Sequence, residues 1–110
     1  MFNALQITKN PDYTCQLVQL TNADLPEGEV EIAVEYSTIN YKDSLAITGQ
    51  GPVVRNFPLT PGIDLAGKVT ASSSAKFKAG DAVVLNGWGV GEVHSGGLAQ
   101  KAKLKADWLI

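Results

Sequence analysis

The chain has 110 residues, room for one domain and one core but not for two. A hydrophobic share of 45% with 18% charged residues excludes a disordered chain, and a formal net charge of −2 offers no broad basic field to nucleic acid or an anionic membrane. Cys15 is the only cysteine, which rules out an internal disulfide or a thiolate metal cluster and fits a reducing, cytoplasmic setting.

The N-terminal MFNALQITKN lacks a basic region followed by an apolar run and a small-residue cleavage site, which argues against secretion. No apolar run approaches the ~18 residues of a membrane span. Phe2 to Ile7 and Cys15 to Leu20 predict paired strands joined by a turn at Asn10, Pro11 and Asp12, and Leu25 to Gly28 predicts another turn. From Glu29 to Tyr36, acidic and apolar residues alternate, the period of a strand with one wet face.

A brief helix is predicted from Tyr41 to Thr48, stopped by Gly49. Asn40 is placed to cap it by accepting a backbone N–H bond, and Asp43 suits the positive end of its dipole. Taken alone, these residues suggest a helix cap at Asn40, a buried structural tyrosine at Tyr41, surface residues at Lys42 and Asp43, and a loop cation at Arg55. The loop that follows is punctuated by Gly51, Pro52, Pro58, Pro61 and Gly62.

Asp64 to Ala71 predicts a strand bent at Gly67, followed by a serine loop at residues 72–74. A turn at Phe77 to Asp81 feeds the strand Ala82 to Asn86, and two last strands are expected at Leu98 to Leu104 and Trp108 to Ile110. About seven short strands with one helix point to a small, mainly β barrel. Asp107-Trp108-Leu109-Ile110 stops inside a strand pattern without polar fray, so the chain is expected to be a fragment.

Three features admit more than one reading. Gly87, Gly89 and Gly91 alternate after a strand, but no helix pattern opens on them, so a structural turn or hinge competes with a phosphate cradle. His94 has neither cysteine nor a second histidine near it, leaving a hydrogen-bonding loop residue or a substrate contact rather than a metal ligand. Lys101, Lys103 and Lys105 share one strand face, either solvated or set against a phosphate-bearing ligand.

The array Asn40-Tyr41-Lys42-Asp43, then Pro61-Gly62-Ile63-Asp64-Leu65-Ala66-Gly67, then Phe77-Lys78-Ala79-Gly80-Asp81 resembles the N-terminal catalytic domain of the medium-chain dehydrogenase/reductase superfamily. The fuller wording NYKDSLAITG, RNFPLTPGID, GWGVGE and KADWL is similar to its acrylyl-CoA reductase and quinone oxidoreductase branch. The resemblance implies a GroES-like partly open β-barrel with one or two short helices, and an NADPH-dependent reduction of the C=C bond of an α,β-unsaturated acyl-CoA or a quinone-like enone. In zinc-dependent members the ligand cysteine falls at Asn40 and a His-Glu pair at Ile63 and Asp64. Asn40 and Ile63 supply no zinc ligand, so a zinc-free enzyme is expected.

Carried over residue by residue, the resemblance makes Tyr41 a cofactor contact, Asn40 and Tyr41 catalytic candidates, and Asn40 a lining residue of the nicotinamide and substrate cleft. Arg55 is a candidate for a CoA phosphate on its charge and loop position. The family's Rossmann domain follows the barrel and is absent from residues 1–110, so the chain alone is expected neither to hold NADPH tightly nor to turn over. An incomplete barrel exposes strand edges, from which a homo-oligomer or strand-exchanged dimer is expected. The alternative is a stand-alone binding or structural module without redox activity.

Overall fold

The computed structural model describes residues 1–9, 12–51 and 53–110. Six strands and one helix follow in order: β1 (Phe2–Lys9), β2 (Tyr13–Leu20), β3 (Val30–Tyr36), α1 (Tyr41–Thr48), β4 (Asp64–Ser72), β5 (Ala82–Asn86) and β6 (Lys101–Leu104). Short 3₁₀ turns occupy Asn22–Asp24 and Ala106–Trp108. Of the turn expected between the first two strands, Asn10 and Pro11 lie outside the described residues, as does Pro52 in the later loop.

β1 and β2 form an antiparallel hairpin, and the other four strands form an antiparallel sheet ordered β5-β4-β3-β6. The alternation predicted for β3 sends Val30 and Ile32 inward, both without solvent exposure. They join Leu65, Val69, Val83, Leu85, Val90, Ala102 and Leu104 in the main core. A second cluster of Ile7, Ala46, Val53, Val54 and Leu59 sits between the hairpin and α1. The predicted bend at Gly67 has a steric cause, since a Cβ there would lie 2.3 Å from the Ala33 carbonyl oxygen. The β3–β4 register shifts beside it, between Val34 and Tyr36.

The strand predicted at Leu98 to Leu104 is shortened to Lys101–Leu104 and the one predicted at Trp108 to Ile110 is reduced to a single bridge at Leu109, and the reason is closure. Residues 98–100 tie the hairpin to the sheet, with Leu5 N–H donating to Leu98 O at 3.0 Å and Gln100 N–H to Asn3 O at 2.9 Å, while Gln100 O still accepts the Val34 N–H of β3 at 2.9 Å. At the other end Trp108 is drawn into a 3₁₀ turn, after which Val84 and Ile110 exchange backbone bonds of 3.0 and 3.1 Å along the β5 edge. Ile7 and Leu59 exchange bonds of 2.7 and 3.0 Å. Single bridges rather than full ladders link the two sheets, which makes the barrel partly open. Lys101 and Lys103 lie on the outer face of β6 opposite the buried Ala102 and Leu104, while Lys105 falls past the strand and over the Trp108 ring at 5.5 Å.

The second cluster perturbs two ionisable groups. Tyr13 donates its phenol to the Ala46 carbonyl and meets Phe57 edge-on at 5.8 Å. Burial first, then the neighbouring Cys15, pushes the Tyr13 pKa up, and burial pushes the Cys15 thiol up. Both groups hold their protons more tightly when folded, so the stability they contribute is present below their ordinary pKa values and is lost as pH rises through the raised ones. Cys15 is accordingly expected to react with iodoacetamide at mildly alkaline pH several-fold more slowly than in the urea-unfolded chain, because burial leaves less of it as thiolate and restricts access. Equal alkylation rates in the two states would contradict this placement.

Candidate functional site

β3, β4 and β5 bring Tyr36, Asp64 and Asn86 to one end of the sheet, and the segment 37–40 carries the chain from that end into α1. Asn40 takes the N-cap position with extended backbone, φ −97° and ψ 176°. The turn is closed by Asp43, whose Oδ2 accepts the Asn40 N–H at 2.9 Å. Its other oxygen, Oδ1, accepts the Ile63 N–H at 3.0 Å, which pins the start of α1 to the Pro61-Gly62-Ile63-Asp64 loop. Asp43 is 1% exposed, so the surface position expected for it is corrected. A carboxylate tolerates this burial because it takes up N–H groups that the helix start and the loop would otherwise leave unpaired. Asn40-x-x-Asp43 has the spacing of a capping box, the signal that could have revealed the role.

Asn40 meets the loop through its side chain. Its Nδ2 donates to Asp64 Oδ2 at 3.0 Å and to Thr38 Oγ1 at 3.1 Å, with Asp43 Oδ2 at 3.4 Å. Thr38 in turn donates to Asp64 Oδ1 at 2.6 Å, and Ser37 Oγ donates to the Asp64 carbonyl at 2.9 Å. Thr38 carries no distinctive spacing in the sequence, and only folding reveals its place beside Asp64. A shallow groove of about 180 Å³ runs alongside, walled by Tyr36, Ser37, Thr38, Asp64, Leu65, Ala66, Val84, Leu85 and Asn86.

Tyr41, expected as a buried residue on its own pattern, is 78% exposed. The helix buries only Asp43 and Ala46, and the second cluster is filled by Ile7, Val53, Val54 and Leu59, so the phenol is left in solvent. Tyr36, Ile39 and Trp88 are similarly exposed on the segments around it. Lys42 forms an ion pair of 3.3 Å with Glu92, and the Glu92 carbonyl accepts the Arg55 N–H at 2.8 Å. The Arg55 loop thus lies across Glu92 from the helix start, with Arg55 exposed.

The glycine-rich loop is a built turn. Gly87, Trp88, Gly89 and Gly91 all have positive φ, and no helix opens from them. Gly96 N–H donates to Thr60 O at 2.8 Å, Gly97 N–H to Gly62 O at 3.1 Å and Leu98 N–H to Pro61 O at 3.0 Å. A Cβ on Gly96 would stand 2.0 Å from the Gly62 carbonyl oxygen, so this glycine serves close backbone approach. His94 bonds through Nε2 to the Lys103 carbonyl at 2.7 Å and packs edge-on against Trp108 at 5.0 Å, a loop-anchoring role.

Asn40 and Asp64 are hydrogen-bonded to each other, the Ile63 N–H is taken by Asp43, and among the described residues no three of His, Cys, Asp and Glu gather around a common point. Among the described residues, no helix is long and apolar enough to cross a membrane.

Known proteins match along almost the whole chain. The acrylyl-CoA reductase AcuI of Ruegeria pomeroyi is 53% identical over 100% of this chain and 34% of its own length. The YhdH oxidoreductase of Salmonella enterica, solved in complex with NADP, superposes with a TM-score of 0.95 at 48% identity, covering 98% of this chain and 34% of that one. The Bacillus subtilis protein YhfP, solved with NAD bound, gives a TM-score of 0.91 at 41% identity over 99% of this chain and 33% of that one. The chain therefore spans about a third of the length of these relatives. Residues 26–110 match the alcohol dehydrogenase GroES-like domain, and with it the partly open β-barrel described above. The chain belongs to the alcohol dehydrogenase GroES-like domain family.

Proposed function

We propose that this barrel is one wall of the active-site cleft of an NADPH-dependent oxidoreductase that reduces the C=C bond of an α,β-unsaturated acyl-CoA, acrylyl-CoA to propanoyl-CoA being the best-matched case. A quinone-like enone is the second substrate class. The observation that carries this reading is the 53% identity to an acrylyl-CoA reductase along the whole chain. The NADP-bound relative supports the choice of cofactor.

NADPH, when bound, supplies the hydride that saturates the bond. The part of this chain is to present Tyr41 to the cofactor, Asn40 to the floor of the cleft and Arg55 to the phosphates of the acyl-CoA. Tyr41 suits its role because a solvent-exposed aromatic at a helix start can cover a ring and donate a hydrogen bond. The reading is zinc-free, because Asn40 and Ile63 stand where zinc-dependent members carry ligand side chains and supply none. The remainder of the reading comprises a Rossmann nucleotide-binding domain as the opposite wall, little NADPH affinity or turnover in residues 1–110 alone, a cytoplasmic setting, and a homo-oligomer or strand-exchanged dimer.

A chimera in which residues 1–110 replace the matching third of the Ruegeria pomeroyi reductase tests the residue roles. Tyr41→Ala is expected to weaken NADPH binding about tenfold, the loss of one good contact of ~1.4 kcal/mol. Arg55→Ala is expected to raise the KM for acrylyl-CoA with kcat nearly unchanged. An unchanged Kd for NADPH in the first variant, or an unchanged KM in the second, removes that residue from the site.

A further inference from the structure

The hydrogen-bond directions around Asn40 are fixed by chemistry. Its Nδ2 carries two protons, and three oxygens surround it: Asp64 Oδ2 at 3.0 Å, Thr38 Oγ1 at 3.1 Å and Asp43 Oδ2 at 3.4 Å. The opposite orientation of the amide would set its carbonyl oxygen against two carboxylates, a repulsive arrangement that Thr38 could relieve only by giving up its 2.6 Å bond to Asp64 Oδ1. Thr38 spends its own proton on Asp64 Oδ1 at 2.6 Å, so it can only accept from Asn40. Asp43 is held in turn by Asn40 N–H and Ile63 N–H. Every donor in the cluster has an assigned acceptor, and both protons of the Asn40 amide are taken.

From this closed network we infer that Asp64, supported by Thr38, is a positioning residue that locks the Asn40 carboxamide with its donors turned inward, so that Asn40 meets a ligand only as a hydrogen-bond acceptor. An amide oxygen has two lone pairs and keeps acceptor capacity even when it faces the first turn of α1. The ligand group that suits it is an N–H or O–H donor, such as a carboxamide. An enolate oxygen does not suit it, because Asn40 would have to abandon a carboxylate to donate to it. This inference rests on the proposed reductase reading for the identity of the ligand. Stabilisation of developing negative charge on the substrate carbonyl must come from another donor, and Tyr41, one residue along, has an exposed phenol for it.

The test needs no cofactor. In the ¹⁵N-labelled 110-residue chain, the Asn40 side-chain amide is expected to exchange with solvent about tenfold more slowly than that of exposed Asn3, and its two proton resonances to be widely separated. Asp64→Ala or Thr38→Val, in whichever variant keeps a dispersed backbone spectrum, should collapse the separation and remove the protection. Exposed-like Asn40 resonances in the unsubstituted chain overturn the inference, as do resonances that neither variant moves. In the chimera, Asn40→Ala and Asp64→Ala should each weaken NADPH binding, and the double variant should bind no worse than Asn40→Ala alone. Additive losses contradict positioning through Asn40. A locked amide together with an unchanged Kd for NADPH in Asn40→Ala would instead reject the cleft assignment while leaving the network intact.

Discussion

Asp43→Ala is expected to destabilise the chain by about 3 kcal/mol, the cost of leaving two partly buried N–H groups without their acceptor and removing charge-assisted bonds. For a domain of this size that is a fall in Tm of about 15 °C. The figure follows from where the carboxylate stands: 1% exposed, with one oxygen on Asn40 N–H and the other on Ile63 N–H. Asp43→Asn keeps one acceptor but aims an NH₂ group at the second donor, so it should lose a similar amount. Urea denaturation of the two variants beside the parent checks this. A loss below about 0.5 kcal/mol, the usual range for a surface substitution, would show that Asp43 does not brace the helix to the loop.

Gly96→Ala is expected to be at least as damaging. Its Cβ would sit 2.0 Å from the Gly62 carbonyl oxygen and 2.9 Å from the carbonyl carbon, and both are backbone atoms that cannot swing aside. Relief requires parting the glycine-rich loop from residues 60–62 and breaking bonds of 2.8, 3.1 and 3.0 Å along that seam. A cost of about 3 kcal/mol or more, or loss of a cooperative transition, is the predicted outcome. Gly80→Ala is the comparison: φ is 95° but nothing lies within 4 Å of the added atom. It should cost only the backbone strain, about 1 kcal/mol. Equal tolerance of the two substitutions would contradict the seam.

The contrast between these positions shows how far the amino-acid pattern reaches. The wet and dry faces of β3, the helix from Tyr41 to Thr48 and the turn before β5 were all legible, because each is a local matter of period, cap and turn chemistry. The ends of the last strands were not, because residues 98–100 and 108–110 are recruited by segments distant in sequence to close the barrel. Tyr41 and Asp43 exchanged their expected places for the same kind of reason. A tyrosine is ordinarily the better candidate for burial, but here the carboxylate has two unpaired N–H groups to satisfy and the phenol has no space left in the second cluster. Asn40 and Asp64 could be singled out from the motifs they belong to, while the bond between them and the part of Thr38 became visible only in the folded chain.

The alternation of Gly87, Gly89 and Gly91 raised the prospect of a phosphate cradle. Their positive φ values instead serve a chain that doubles back onto residues 60–62. His94 is likewise absorbed by the fold through Lys103 and Trp108. The exposed residues on these segments include Tyr36, Thr38, Ile39, Tyr41, Lys42 and Trp88, with Arg55 across Glu92. They make up the surface on which the proposed reductase reading stands.

The measurement that bears most directly on it is the oxidation of NADPH by the chimera carrying residues 1–110, with acrylyl-CoA present and the acyl-CoA product identified by mass spectrometry. Substrate-dependent NADPH loss with formation of propanoyl-CoA is the predicted result, alongside no saturable NADPH binding in the micromolar range by the 110-residue chain alone. A folded chimera that binds NADPH yet leaves acrylyl-CoA unreduced, or micromolar NADPH binding by the isolated chain, would contradict the account.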